Sequence, residues 1–266
     1  MWASLVLAIV TFSANQGSVV RLAIPNEPGV KSAKVLWDTH NVPAFLDEDS
    51  WTAILGVDLD TKPGDHQTDV LFTMEDGRVE TREAVVQVVG KKYPTTELTV
   101  DEKYVEPNKA DLARANREAR ETQAIYAKLT DERLWTQPFR IPIPGRTSGT
   151  NFGHRRIFNG EPRAPHAGAD LRAGTGTPIH STNRGRVVLA KNLFFTGNTV
   201  IVDHGLGIYS LYAHLSRIDV RVGEIVNNGQ QVGLSGATGR VTGPHLHWGM
   251  VVQGARVDPF TLVNLK

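Results

Sequence analysis

The first hundred residues alternate between short apolar runs and turn residues, a pattern typical of β-strands. Asp76-Gly77 lies between two such runs and predicts a hairpin turn. Pro63-Gly64 predicts a further turn. About seven short strands in this stretch predict an immunoglobulin-like β-sandwich over residues 16–105. The strand-like runs read "SVVRLAI", "SAKVLW", "WTAILGVDL", "DVLFTM" and "AVVQVV".

Residues 108–135 follow a helical period instead. The stretch is rich in Ala, Arg, Glu and Lys and contains no Gly or Pro. Asn108 is the predicted N-cap, with Asp111 three residues later as in a capping box. We therefore predict a charged helical linker over residues 106–135, which the prolines of "PFRIPIPG" bring to an end. Its thin apolar stripe consists of Leu112, Ala115, Ala119, Tyr126 and Leu129.

Residues 136–266 are glycine-rich and again strand-like. Gly205 and Gly207 predict a hairpin between two of the apolar runs. The pattern predicts an antiparallel β domain with long loops, which is expected to fold without the sandwich. The whole chain is therefore expected to be mainly β. The runs are "TPIHS", "GRVVLA", "NTVIVDHGLGIYSLYAHL" and "HLHWGMVV".

The N-terminus reads "MWASLVLAIVTFSANQG". Its apolar run has about the length of a signal-peptide core and is too short to span a membrane. Ser13 and Ala14 could precede a cleavage site, although no Lys or Arg precedes the run. We therefore expect an atypical export signal over residues 1–15, and a first β-strand is the alternative.

The composition of the chain excludes several kinds of functional site. The absence of cysteine excludes disulfides, thiolate metal sites, a cysteine nucleophile and a lipidated N-terminal cysteine. Residues 136–266 carry 14 basic and 6 acidic residues, a balance of +8, whereas residues 1–135 carry 15 and 22, a balance of −7. A basic domain favours a polyanionic partner such as nucleic acid, anionic lipid or the bacterial wall. Surface charge without a partner is the alternative.

Two short, glycine-flanked stretches concentrate the metal-binding residue types. If "GPHLHWG" is a strand, His245 and His247 face one side and Leu246 faces the other. "HAGAD" supplies His166 and Asp170, whose spacing alone is weak evidence. Taken together, two histidines and a carboxylate with an open fourth position have the make-up of a catalytic zinc site.

The other candidates are less specific. Strand alternation places Tyr212 and His214 of "LYAHLS" on one face, where a lone histidine would normally be a structural residue. His154 could line a substrate groove, and Arg155 could contact a substrate carboxylate, but surface roles are the alternative for both. Asn151 is interpreted as a turn residue. The remaining histidines are expected to be structural or surface residues: His40, His66, His180 and His204.

The ordered set "HAGAD…LYAHLS…GATGRVTGPHLHWG" resembles the lysostaphin/LytM-type zinc peptidases, which cut peptide bonds in peptidoglycan. The resemblance runs from "TSGTNFGHRR" at residue 147 to about Pro259 and so covers nearly all of the basic domain. The preceding domain is also similar to the β-sandwich of multi-domain members. The resemblance implies a LytM-type peptidase domain over residues 136–266.

The resemblance also assigns roles to individual residues. His166, Asp170 and His247 correspond to the ligands of one zinc ion per chain. His214 and His245 correspond to the two catalytic histidines beside the metal. Zinc chemistry agrees with these roles, because zinc makes water more acidic and polarises a carbonyl group, while imidazole transfers protons. Which histidine performs which step stays open.

The expected function is therefore that of an exported zinc endopeptidase acting on peptidoglycan cross-links or stem peptides. It would work in the periplasm or outside the cell, associated with the wall. No nucleic-acid partner and no stable transmembrane anchor are expected, and regulation by protein partners is left open. One alternative is a non-catalytic LytM-like wall-binding or amidase-activating protein, although such proteins usually lack ligands. A second is a peptidase of the same chemistry that cuts a protein substrate.

Overall fold

The computed structural model describes residues 10–149 and 151–265. It is mainly β, which confirms the predicted fold class. An N-terminal pair of sheets is followed by a helix and then by a larger antiparallel sheet with two small sheets beside it. No helix within these ranges is both long and apolar enough to cross a lipid bilayer.

The N-terminal part is a two-layer sandwich. One sheet has the strand order β1-β8-β7-β3-β4 and the other β2-β6-β5. Their facing side chains form one core, with Leu22, Leu55 and Phe72 almost wholly buried. The hairpin predicted at Asp76-Gly77 joins β7 to β8, and Gly77 has a φ of 85°, which glycine adopts without strain. The strands are β1 (Val10–Asn15), β2 (Ser18–Pro25), β3 (Val30–Trp37), β4 (His40–Pro43), β5 (Phe45–Asp47), β6 (Ser50–Val57), β7 (Gly64–Met74) and β8 (Val79–Val89).

The segment predicted as an export signal over residues 1–15 is only partly described. Residues 10–15 form β1, which pairs in parallel with β8 and buries Ala14 in the sandwich core. For these residues the alternative interpretation, a first β-strand, matches the structure. Residues 1–9 lie outside the described ranges.

The predicted helix begins as expected but ends earlier. Helix α1 (Lys109–Tyr126) is capped by Asn108, whose side chain accepts hydrogen bonds from the backbone N–H groups of residues 110 and 111. Residues 127–135 are not helical; they bury Leu134 and Trp135 and lie along residues 204–206, where the Leu206 N–H donates to the Thr130 carbonyl at 2.7 Å and the Leu134 N–H donates to the His204 carbonyl at 3.0 Å. Before the helix lie β9 (Thr95–Leu98) and a 3-10 turn at Glu102–Tyr104.

The C-terminal part is built on one sheet in the order β12-β20-β16-β15-β14-β18, with β21 added to β20. Two three-stranded sheets, β13-β19-β17 and β11-β10-β9, flank it, and the second contains a strand from before the helix. The elements are β10 (Arg155–Phe158), β11 (Glu161–Arg163), β12 (Ala169–Arg172), β13 (Pro178–His180), β14 (Gly185–Leu193), β15 (Gly197–Asp203), β16 (Ile208–Leu215), β17 (Arg217–Ile218), β18 (Ile225–Val226), β19 (Gln231–Leu234), β20 (His245–Val252), β21 (Ala255–Val257) and α2 (Pro259–Val263).

The two parts share a core. Val19 and Ile54 of the sandwich belong to the same buried cluster as the interior of the C-terminal sheet. The buried Gln253 side chain accepts a hydrogen bond from the Gly56 N–H at 3.1 Å and donates to the carbonyls of Ile54 and Leu206 at 3.2 and 2.9 Å. Both parts therefore contribute side chains to one core. This shared core conflicts with the prediction that residues 136–266 fold alone.

Gly56 is the tightest point of this interface. A Cβ at Gly56 would lie 2.4 Å from the Val252 carbonyl oxygen, and that backbone cannot move without disturbing β20. We expect Gly56→Ala to destabilise the protein by about 1–3 kcal/mol, as overpacking does in well-packed interiors. Thermal unfolding of the full chain measures this. Gly174→Ala is the matched control, because a Cβ there meets nothing within 4 Å. Equal midpoints for the two variants would contradict the close packing.

Candidate metal centre

Three predicted ligands converge beside the edge strand of the large sheet. Asp170 on β12 is directly opposite His247 on β20 in the antiparallel register. His166 lies just before β12, and its Nε2 is 2.7 Å from His247 Nδ1 and 3.1 Å from Asp170 Oδ1. His247 Nδ1 is 3.0 Å from the same Asp170 oxygen. One donor atom from each side chain lies within 4.8 Å of the others, so the three could hold one metal ion.

Local sequence explains how β20 presents its histidines. Leu246 is fully buried, whereas His245 and His247 point to the opposite face, as the alternation of a strand requires. Gly168 lets the chain before β12 approach this face closely. A Cβ at Gly168 would lie 2.7 Å from the Trp248 carbonyl oxygen and 2.8 Å from the His247 ring. The glycine of "HAGAD" therefore makes room for the third ligand.

The loop at residues 151–154 fixes His166. The Gly153 N–H donates to the His166 carbonyl at 2.8 Å, and the His166 N–H donates to the His154 carbonyl at 2.9 Å. His166 Nδ1 is 2.9 Å from the Asn151 carbonyl oxygen. Because a carbonyl only accepts, Nδ1 carries the proton and Nε2 offers its lone pair to the cluster, the usual arrangement behind a metal-ligating histidine.

Electrostatics favours a cation at this point. Burial lowers the pKa of His166 to about 4, so the ring is neutral at pH 7. Burial alone would raise the pKa of Asp170, but its interactions with the His166 and His247 rings outweigh burial and hold that pKa well below its usual range. An ionised carboxylate and two imidazoles are thus directed at one point, a donor set that suits a divalent metal ion.

His214 and His245 stand beside the three candidate ligands. Their rings are 5.0 Å apart between centres, and the His214 ring centre is 5.9 Å from that of His247. His214 Nδ1 lies 2.8 Å from the Thr238 carbonyl oxygen, and His245 Nδ1 lies 2.8 Å from that of Gly243. Because a carbonyl only accepts, Nδ1 carries a proton in both rings.

These two rings differ in environment. His214 sits at the end of β16 with a φ of 61°, and burial, followed by the nearby His247, lowers its pKa to about 3. His245 is more accessible, and its Nε2 lies 3.6 Å from Asp170 Oδ1. The structure thus brings together all five residues that the sequence singled out.

A cavity of about 570 Å³ is lined in part by His247. Its floor is the outer face of the sheet, including Leu211 and Val251, and helix α1 forms a wall with Ala119 and Tyr126. The lining is largely apolar. The helix that the sequence suggested only as a linker therefore shapes the approach to the site.

The other histidines hold structural positions. His204 is fully buried, with Nδ1 2.9 Å from the Arg184 carbonyl and Nε2 2.8 Å from Ser210 Oγ. His180 Nδ1 lies 3.3 Å from the Pro142 carbonyl, a long contact. His154, the candidate for a groove position, hydrogen-bonds Thr96 at 2.7 Å instead.

Sequence reasoning missed two residues that contact Asp170. Asn151, interpreted as a turn residue, has a φ of 63° as a turn would, but its amide also donates to Asp170 Oδ2 at 3.0 Å. The arginine that approaches Asp170 is Arg156, at 3.4 Å, whereas Arg155 is exposed on the other side of β10. Successive side chains of a strand point to opposite faces. Recognising β10 as a strand would therefore have placed Arg155 and Arg156 on opposite faces.

Comparison with known proteins agrees with this geometry. The sequence profile described as "Peptidase family M23" matches residues 164–259. The peptidoglycan DD-endopeptidases ShyA and ShyC of Vibrio cholerae are 44% identical over 121 residues and 40% identical over 125 residues. These alignments cover 45% and 46% of this chain but only 28% and 29% of the relatives, so the chain spans less than a third of their length.

One solved structure is similar over almost the whole chain. A Pseudomonas aeruginosa crystal structure assigned to peptidase M23 aligns with 94% of this chain and 95% of its own, with a TM-score of 0.67 and 29% identity. The similarity therefore extends through the sandwich as well as the C-terminal sheet. The resemblance to lysostaphin/LytM-type enzymes is confirmed, and its core is the stretch of residues 164–259 that matches the profile of peptidase family M23.

Proposed function

We propose that this protein is a zinc-dependent endopeptidase that hydrolyses peptide bonds of bacterial peptidoglycan, in cross-links or stem peptides. The observation that carries the proposal is the convergence of His166, Asp170 and His247 within 4.8 Å, inside the stretch that matches family M23. The names of the Vibrio relatives support peptidoglycan as the substrate, and D,D-peptide bonds as the first to test.

The proposed cofactor is one zinc ion per chain. Two imidazole nitrogens and a carboxylate oxygen match the ligand types of catalytic zinc sites, which leave further positions open. When bound, zinc supplies Lewis acidity, which makes water more acidic and polarises a carbonyl group. Asn151 and Arg156 would orient Asp170 through its Oδ2 atom, and the Asn151 carbonyl would orient His166 through Nδ1.

His214 and His245 are proposed to move protons. Each ring donates through Nδ1 to a backbone carbonyl, so its orientation is fixed and Nε2 can accept a proton. A neutral imidazole can take the proton of the attacking water, and the protonated form can stabilise an oxyanion or supply a proton to the leaving amine. The two rings share one side of the site and can divide these tasks between them.

Peptidoglycan also sets the proposed location. Because the wall lies outside the cytoplasm, we propose that the protein is exported and acts in the periplasm or at the cell wall. The apolar cavity between α1 and the sheet would hold the peptide part of the substrate, and the sandwich would help to position enzyme and wall. The excess of positive charge in residues 136–266 suits an anionic polymer.

The proposal is tested by digesting purified sacculi with the full chain and identifying the released peptides by mass spectrometry. We expect cross-linked dimers to be converted to monomers with a new amino and a new carboxyl end. A zinc chelator should stop the release and added zinc should restore it. A fully zinc-loaded protein that releases nothing would instead favour the non-catalytic wall-binding alternative.

A further inference from the structure

Three arginine side chains gather beside the candidate metal centre. Arg156 on β10 and Arg163 on β11 are directly opposite each other in the antiparallel register. Arg240 comes from the loop before β20, and its guanidinium carbon lies 4.6 Å from the ring centres of both Phe158 and Phe195. The Arg156 guanidinium carbon lies 5.8 Å from the Phe158 ring centre. We refer to Arg156, Arg163 and Arg240 as the arginine cluster.

Few carboxylates neutralise the positive charge of the arginine cluster. Within the described part of the chain, Arg163 and Arg240 form no ion pair, and Arg156 reaches one carboxylate, that of Asp170, at 3.4 Å. Glu161 shares a face of β11 with Arg163 by strand alternation but forms no ion pair in the described structure either. Like charges directly opposite each other destabilise an antiparallel pair. The arrangement therefore costs folding free energy that a bound anion would offset.

Arg240 is held in place before any ligand arrives. Its backbone N–H donates to the Phe195 carbonyl at 2.8 Å, and its guanidinium is packed against two rings. Burial, with the charges of Arg156 and Arg163, lowers the pKa of Arg240 to about 10, so the side chain remains a cation at neutral pH. A guanidinium fixed in this way loses little entropy on binding a planar anion.

The cluster adjoins both parts of the proposed active site. Arg156 contacts Asp170, one of the three candidate metal ligands. Phe195, on which Arg240 packs, also lines the cavity that reaches His247. An anion held by the arginines would therefore lie next to a peptide bound in the cavity.

We infer that the arginine cluster binds a free carboxylate of the peptide substrate close to the bond that is cut. This inference rests on the proposed function, because it assigns a feature of the same substrate. Guanidinium groups match carboxylates in shape and can form two parallel hydrogen bonds with them. The cluster thus selects peptides that carry a free carboxylate near the scissile bond and disfavours amidated ones.

The test compares two soluble cross-linked stem peptides, one with free carboxylates and one with the carboxylates next to the scissile bond amidated. For the unchanged protein, amidation should lower kcat/KM about tenfold or more, as expected for the loss of charge-assisted hydrogen bonds. Arg240→Gln should lower kcat/KM for the free carboxylate by a similar factor and leave the amidated peptide unaffected. A merely structural role would lower both equally and would overturn the inference.

Arg155→Gln is the matched control, because it also removes one arginine charge, but from an exposed side chain on the face of β10 opposite to Arg156. It should keep the preference for the free carboxylate.

A binding experiment separates this inference from the proposed function. In the chain carrying His214→Asn, calorimetry should show tighter binding of the free-carboxylate peptide, and adding Arg240→Gln should remove the difference. If no peptide or sacculus is cut, the proposed function fails, whereas equal binding of both peptides refutes the arginine site.

Discussion

Purified His247→Ala protein is expected to contain no stoichiometric zinc and to have lost essentially all peptidase activity. The substitution removes one of three donor atoms that lie within 4.8 Å of one another and leaves the Asp170 carboxylate with one imidazole partner fewer. Without the metal the site loses its Lewis acid, whose contribution to rate is several orders of magnitude. Metal analysis of the purified protein and the release of peptides from sacculi measure the two losses separately.

His66→Ala is a suitable control, because this histidine lies in the sandwich and hydrogen-bonds the Lys62 carbonyl at 2.7 Å. It should keep one zinc ion per chain and full activity. Circular dichroism and the unfolding midpoint show whether the His247→Ala chain is folded. Stoichiometric zinc in a folded His247→Ala protein would refute the proposed ligand set.

His214 and His245 should behave in the opposite way: their variants keep zinc and lose turnover. We expect His245→Ala and His214→Asn each to lower kcat by about 10²–10⁴-fold, the range typical of general acid–base groups. Asparagine is preferred at position 214 because the backbone there has a φ of 61°, a conformation that asparagine tolerates better than most residues. The zinc content should remain at one ion per chain.

The double variant tests whether His214 and His245 act in the same proton-transfer sequence. If the two rings act in one proton-transfer sequence, the double variant should lose far less than the product of the two single losses, because residues acting as a unit are not additive. Near-normal kcat with zinc retained in either single variant would show that the residue is structural. Loss of zinc in either would make it a ligand rather than a proton carrier.

The sequence predicted best what depends on neighbouring residues. Strand alternation placed His245 and His247 on one face and Leu246 in the core, and the Asn108 cap placed the start of α1. Both patterns are local, since each is decided within a few positions of the chain. The order of the motifs then indicated the resemblance to LytM-type peptidases, which the profile match over residues 164–259 supports.

Contacts between residues that are far apart in the sequence could not be predicted in this way. Asn151 and Arg156 are 19 and 14 residues from Asp170, and only the folded loop shows that they touch it. The composition of residues 10–15 fits both a β-strand and the apolar core of a signal peptide. Their pairing with β8 shows that they form a strand. The end of α1 at Tyr126 is set by packing of the chain on the C-terminal sheet, because residues 127–135 are as helix-compatible as those before them.

Gln253 has a consequence for how the molecule unfolds. Its amide is satisfied by the sandwich on one side and by the C-terminal sheet on the other, so separating the two would leave several buried polar groups without partners. Partial opening at this point is therefore costly compared with complete unfolding. We therefore expect the sandwich and the C-terminal sheet to unfold as one cooperative unit, and a calorimetric scan of the full chain should show a single transition although the sequence predicts two domains.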